Sequence, residues 1–333
     1  MKELSITTNL RVRTYLYNAY VESIISNLPG YEAWFHNNYI QLAYYKKNNI
    51  SVLEYLSGSI FGCVPMLKNK SYEDIMTLKQ EDDKIHEKFQ AWIESGSYIY
   101  TFLDEFYVPE RSAYSKFNYI HDVLIYGYDT KRRVYMLTGY NYQAQYVKSE
   151  INFDNMIKAF QNDSPCLIEI QTNDINYSFN FDNFKTMLVE YRNGSNSRDT
   201  IEMYLDMDSY NDTFYDDKLD HYAYYGIQIY EGVLEYLSNM QIKEEDLDYR
   251  MFYLIYEHKK NMKLRMDYLI KVKNMRLADN IFDELINKSQ LMLNVAIKYK
   301  MTFNPILLDN LKRYIWEIQE EEKKVLDKII GII

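Results

Sequence analysis

Apolar positions recur at two different spacings along this chain, and the change of spacing predicts its architecture. Beginning at Ala33, the residues Trp34, Asn37, Ile40, Gln41 and Tyr44 fall three or four apart, which predicts a first helix starting near Ala33. Residues 72–94 read as a second, polar helical stretch on the surface. The texture then turns to strands at 98–103, 120–126 and 133–138, with Gly127-Tyr-Asp-Thr-Lys as a hairpin turn between the last two. Residues 153–160 predict a short helix capped by Asn152, and 166–171 a buried strand after Pro165.

Beyond about residue 181 the period is helical. Leu247, Met251, Leu254, Ile255, His258, Met262, Arg265 and Leu269 mark one face of a long helix. Ile281, Leu285, Met292, Val295, Ala296 and Tyr299 mark the next. After Asn304-Pro305, a cap followed by proline, Leu308, Leu311, Ile315, Ile318 and Val325 mark a third. The order predicts an α+β protein: a core over residues 1–175 and a mostly helical region over 176–333.

Composition narrows the function classes. Lys+Arg at 38 against Asp+Glu at 48 give a net charge of −10, which argues against a general nucleic-acid binder and suits a cationic amine. Two cysteines exclude a disulfide framework and a cysteine-rich metal site. No apolar run is long enough for a membrane span, and the first residues carry no secretory h-region, so a cytoplasmic location is expected. No metal-ligand spacing, phosphate-binding glycine loop or dinucleotide fingerprint occurs, so neither metal nor cofactor is expected.

Candidate chemistry gathers in two places. In Asn27-Leu-Pro-Gly-Tyr-Glu-Ala33-Trp34 an amide side chain precedes a helix start by six residues. Later come Asp104-Glu105-Phe-Tyr107-Val-Pro109 and His121-Asp-Val-Leu-Ile-Tyr-Gly127-Tyr-Asp129, then Val134-Tyr-Met-Leu. Together with Tyr191-Arg-Asn-Gly-Ser, Tyr225-Gly-Ile-Gln-Ile-Tyr-Glu-Gly-Val-Leu, Glu257-His-Lys and Arg265-Met-Asp-Tyr-Leu, these segments resemble the BtrH-like (butirosin-biosynthesis protein H) family of papain-type cysteine acyltransferases. The likeness runs in order from about Asn27 to Leu269.

That resemblance implies a papain-like fold and a transglutaminase-like reaction in specialised-metabolite biosynthesis, an acyl group passing from a carrier-protein thioester to a small amine. It places the nucleophile at position 33, where this chain has Ala33, and the general base at His121. A cysteine there would sit at a helix N-terminus, where the dipole favours thiolate. Asn27 and the backbone N–H of residue 33 would meet the oxyanion. The residue that orients His121 is expected on the strand after the hairpin, as Asn141 or Thr138. Trp34, Asp104, Tyr107 and Thr138 are candidate substrate contacts.

Alanine at position 33 reads as a catalytic cysteine replaced, an inactive variant of a cysteine-dependent acyltransferase. The alternatives are a non-catalytic papain-fold binding protein, a peptidase, or Cys63 as the nucleophile; Cys166 reads as an inert core thiol. The other histidines have plainer expectations: His36 exposed on its helix, His86 solvated among charges, His258 a hydrogen-bonded core residue. The Asp104/Glu105 pair reads first as a sheet-edge polar cluster and second as an amine-recognition site.

Overall fold

The computed structural model describes residues 1–48, 50–56, 64–72, 74–161, 165–201, 221–243, 247–275, 278 and 280–333. It is a mixed α+β protein with antiparallel sheets and C-terminal helices. Of the described residues, those within 1–31 and 60–177 form one unit, and those within 32–59, 178–203 and 212–333 form a second. Residues 32–59 fall in the second unit, where their strands pair with a strand from beyond residue 220. Among the described residues no helix is long and apolar enough to cross a membrane.

The first unit is built on a sheet of seven strands: β1 (Lys2–Glu3), β4 (Leu67–Ser71), β5 (Tyr98–Asp104), β6 (Ile120–Asp129), β7 (Val134–Tyr140), β8 (Tyr146–Asn152) and β9 (Leu167–Thr172). Its order is β4-β9-β5-β6-β7-β8, with β1 added to the far end of β6. Alternation sends Ile99, Leu103, Val123, Ile125, Leu137 and Ile151 into a core with the helices Asp82–Glu94 and Phe153–Gln161. The first helix contributes Ile85, Phe89 and Ile93, so this stretch is amphipathic rather than polar throughout. Asn152 caps the second as expected, its Oδ1 accepting from Asn155 N at 2.7 Å. His86, expected in solvent, is half-buried: Nδ1 lies 2.9 Å from the Tyr135 hydroxyl and its ring packs on Phe153.

The hairpin turn falls later than Gly127. Asp129 Oδ1 accepts from Lys131 N and Arg132 N, setting the turn at 130–133, while Gly127 stays in β6 at a register shift. Glycine is needed there because a Cβ would lie 2.8 Å from the Lys2 carbonyl oxygen of β1.

A helix the periodicity did not reveal, Leu16–Ile25, packs on β6 and β7 and is buried on nearly every side. Its Glu22 carboxylate is core-bound, accepting from Arg11 N at 2.9 Å, Val12 N at 2.7 Å and the Tyr31 hydroxyl. Burial raises its pKa despite these donors.

The second unit has a three-stranded sheet, β10 (Tyr222–Tyr225), β2 (Leu42–Lys47) and β3 (Ile50–Tyr55), in the order β10-β2-β3. Helices Phe181–Asn193, Ile229–Lys243, Arg250–Lys273, Asp283–Thr302 and Ile306–Ile330 complete it. The stripe predicted on the long helix is buried at Met251, Leu254, Ile255, His258, Met262, Arg265 and Leu269. Pro305 sits at the cap itself rather than at the first helical position, and Asn304 Oδ1, one residue earlier, accepts from Ile306 N at 3.1 Å.

An ionic cluster lies inside this unit. Lys259 Nζ pairs with Glu322 Oε1, both side chains fully buried. Tyr191 and Tyr230 donate their hydroxyls to the same carboxylate, and Lys259 Nζ lies 3.0 Å from His258 Nδ1. His258 Nε2 donates to Ile40 O at 2.8 Å, so this histidine is core, neutral, and held far below its ordinary pKa by burial and by Lys259. Burial also lifts the hydroxyl pKa of Tyr20, Tyr55, Tyr191 and Tyr230 well above 10.0.

Candidate functional site

His121 stands at the second position of β6, paired across to Leu103 of β5. Its Nδ1 lies 2.8 Å from Asp122 Oδ1, with 32% of the histidine side chain exposed and 11% of the aspartate's. A carboxylate only accepts, so Nδ1 carries the hydrogen and Nε2 is left with the lone pair of a base. Asp122 is itself held. Tyr20 of the helix Leu16–Ile25 donates its hydroxyl to the Asp122 carbonyl at 2.9 Å, and Tyr100 reaches Oδ2 at 3.4 Å. Burial alone would depress the imidazole pKa; the hydrogen bond and charge of Asp122, with the charge of Glu105, outweigh it and leave the pKa raised.

The loop between β5 and β6 frames this pair. Asp104 is fully buried and closes the loop at its base: Oδ1 accepts from Phe106 N and Tyr119 N, each at 3.0 Å, and Oδ2 from Asn118 Nδ2. Asp104 is therefore a loop clasp and not a substrate contact. Tyr107 is half-buried, its ring edge against Phe106 and packed on the core. Tyr119 is exposed, with its ring 5.3 Å from that of His121.

Arg111 locks the loop to β7, donating from Nη2 to Thr138 O at 3.1 Å and from Nη1 to Tyr140 O. Gly139 between them has φ +151, and a Cβ there would stand 2.5 Å from Nη2. Burial raises the Glu105 carboxyl pKa, against the lowering charges of His121 and Arg111.

The orienter of His121 differs from the expectation. Asn141 turns its Oδ1 back on its own loop, accepting from Gln143 N at 3.0 Å and Gln145 N at 2.9 Å. Thr138 is fully buried and donates to Val147 O at 3.0 Å, which also removes it as a substrate contact. Asp122, the neighbour in sequence, takes the role that Asn141 and Thr138 were expected to share.

Ala33 lies in the second unit, half-buried as the third residue of the helix Tyr31–Asn37. That helix is short, and Gln41 and Tyr44, expected on it, fall outside; Tyr44 is in β2. Arg265 closes the helix's C-terminal end, donating to His36 O at 2.8 Å and Asn38 O at 2.6 Å. Trp34 is buried with its ring edge-on to Tyr39, a core residue rather than a ligand contact. His36, expected exposed, is buried, stacked 4.2 Å from the Tyr268 ring and 3.4 Å from Glu32. Asn27 belongs to the first unit and is exposed in the turn after the helix Leu16–Ile25.

Cys63 lies outside the described residues, and Cys166 is half-buried just before β9, not in its core. Among the described residues no three His, Cys, Asp or Glu side chains gather as a metal site. No protein-family model matches the sequence, and a search of curated proteins finds no match.

Proposed function

We propose that this chain is a papain-like acyltransferase of the cytoplasm that moves an acyl group from a carrier-protein thioester to a small amine, with His121 as general base. The observation that supports it is the 2.8 Å contact of His121 Nδ1 with Asp122 Oδ1, which leaves Nε2 as the ring's proton acceptor on a partly exposed side chain. Packing of the helix Leu16–Ile25 across the β-sheet that carries His121 is in keeping with that fold.

Alanine has no nucleophilic atom, so no acyl-enzyme forms at position 33. The amine nitrogen attacks the thioester carbonyl directly while Nε2 takes its proton. The C–S bond then breaks, and the imidazolium returns the proton to the leaving thiolate. In the test, a pantetheine-type acyl thioester and an amine are supplied and the amide is measured by mass spectrometry. His121→Ala should slow amide formation by roughly 10²–10⁴-fold. An unchanged rate in that variant would end the proposal.

A second reading, a non-catalytic binding protein, draws support from Ala33 itself. It predicts saturable thioester binding with no amide formed, and no gain of acyl transfer in Ala33→Cys.

A further inference from the structure

Glu105 lies beside His121 with a carboxylate that the rest of the protein leaves poorly served. Its side chain is only 16% exposed, and its nearest cation, Arg111 Nε, is 3.9 Å from Oε1, beyond hydrogen-bond reach. Both Nη nitrogens of Arg111 are engaged with the Thr138 and Tyr140 carbonyls. Among the described residues no N–H or O–H donates to the Glu105 carboxylate. A half-buried carboxylate without a donor is costly. Its neighbours show the contrast: Asp104 accepts from Phe106, Tyr119 and Asn118, and Asp122 from His121 and Tyr100.

We infer that Glu105 is the specificity-determining residue that receives the ammonium group of the acceptor amine, holding it beside His121. The ligand class is a primary alkylammonium ion. It supplies the N–H donors that Glu105 lacks and is held beside His121; one ammonium proton passes to water to give the free amine, and Nε2 takes the second as that amine attacks. The exposed Tyr119 ring, 5.3 Å from the His121 ring, offers an aromatic wall to the alkyl stem. The role of the amine as acceptor rests on the acyl-transfer reading above; the ammonium site does not.

Calorimetry of the full chain with propylammonium chloride, and no thioester present, tests the site. Glu105→Gln should bind roughly tenfold to a hundredfold more weakly, the range of a lost charge-assisted hydrogen bond. Glu110→Gln, which alters an exposed carboxylate on the same loop, should bind like the parent. Glu105→Asp should recover part of the affinity, which a folding defect in Glu105→Gln would not allow. Equal binding by parent and Glu105→Gln, or no saturable binding by the parent, overturns the inference. A chain that binds propylammonium through Glu105 yet makes no amide would sink the acyl-transfer reading and leave this one standing.

Discussion

Asp122 follows His121 directly, and in a regular strand neighbouring side chains face opposite sides of the sheet. A period-of-two reading therefore sends the two apart and looks for the orienter on the next strand. The motif singles out the histidine but not its hydrogen-bond partner, because a bond between strand neighbours depends on local geometry at the strand's start. Asp104 and Glu105 show the same limit. Sequence pairs them as like residues, but one is saturated by three donors inside the loop and the other by none.

Asp122 also supplies a pH prediction. Its hydrogen bond and charge raise the His121 pKa against the depressing effect of burial. In Asp122→Asn both raising contributions weaken while burial stays, so the imidazole pKa falls. An NMR titration of the His121 ring should show the midpoint moved to lower pH. If His121 is the general base proposed above, it acts only when neutral, and the acid limb of the activity profile should move the same way. A midpoint unchanged or raised in Asp122→Asn would refute the assignment of Asp122.

Among the elements, long periodic segments were the readable ones. The stripe from Leu247 to Leu269 spans many turns, so single misfits did not disturb it. The helix predicted from Ala33 to Tyr44 failed because its apolar residues serve two elements in succession. Tyr39, with φ +53, ends the helix, and Leu42 onward joins β3 and β10 as a strand. The helix Leu16–Ile25 was missed for the opposite reason: buried on almost all sides, it has no polar face to set a period. Such a short helix as Tyr31–Asn37 depends on what ends it. Arg265 donates to the Phe35, His36 and Asn38 carbonyls from full burial. Arg265→Met should cost about 3–5 kcal/mol in chemical denaturation, since those carbonyls lose their donors. A loss below about 1 kcal/mol would mean that water or backbone takes over the cap.

At the scale of the molecule, the fold class was legible because strands and helices segregate along the chain. The allotment of residues 32–59 was not, since it depends on pairing with a strand 177 residues further on (Tyr222 with Tyr45). The buried Lys259–Glu322 pair gives a prediction at this scale. Glu322→Gln should destabilise the protein by about 3–5 kcal/mol by leaving the ammonium uncompensated. Joint replacement with Lys259→Met and Glu322→Leu should cost less than the single change, as thermal or urea unfolding would reveal. A double variant weaker than the single one would show that the pair contributes net stability.

The same interior has an optical consequence. Tyr20, Tyr55, Tyr191 and Tyr230 are sealed from water, so their phenols stay protonated where an unfolded tyrosine, with a pKa of about 10, would ionise. The folded chain thus holds more protons than the unfolded one in strong base, and its stability falls as the pH climbs past about 10. Near-ultraviolet absorbance of phenolate from these buried rings should accordingly rise abruptly, coinciding with loss of circular dichroism. A single smooth titration with the secondary structure intact would mean that hydroxide reaches those rings while the protein is still folded.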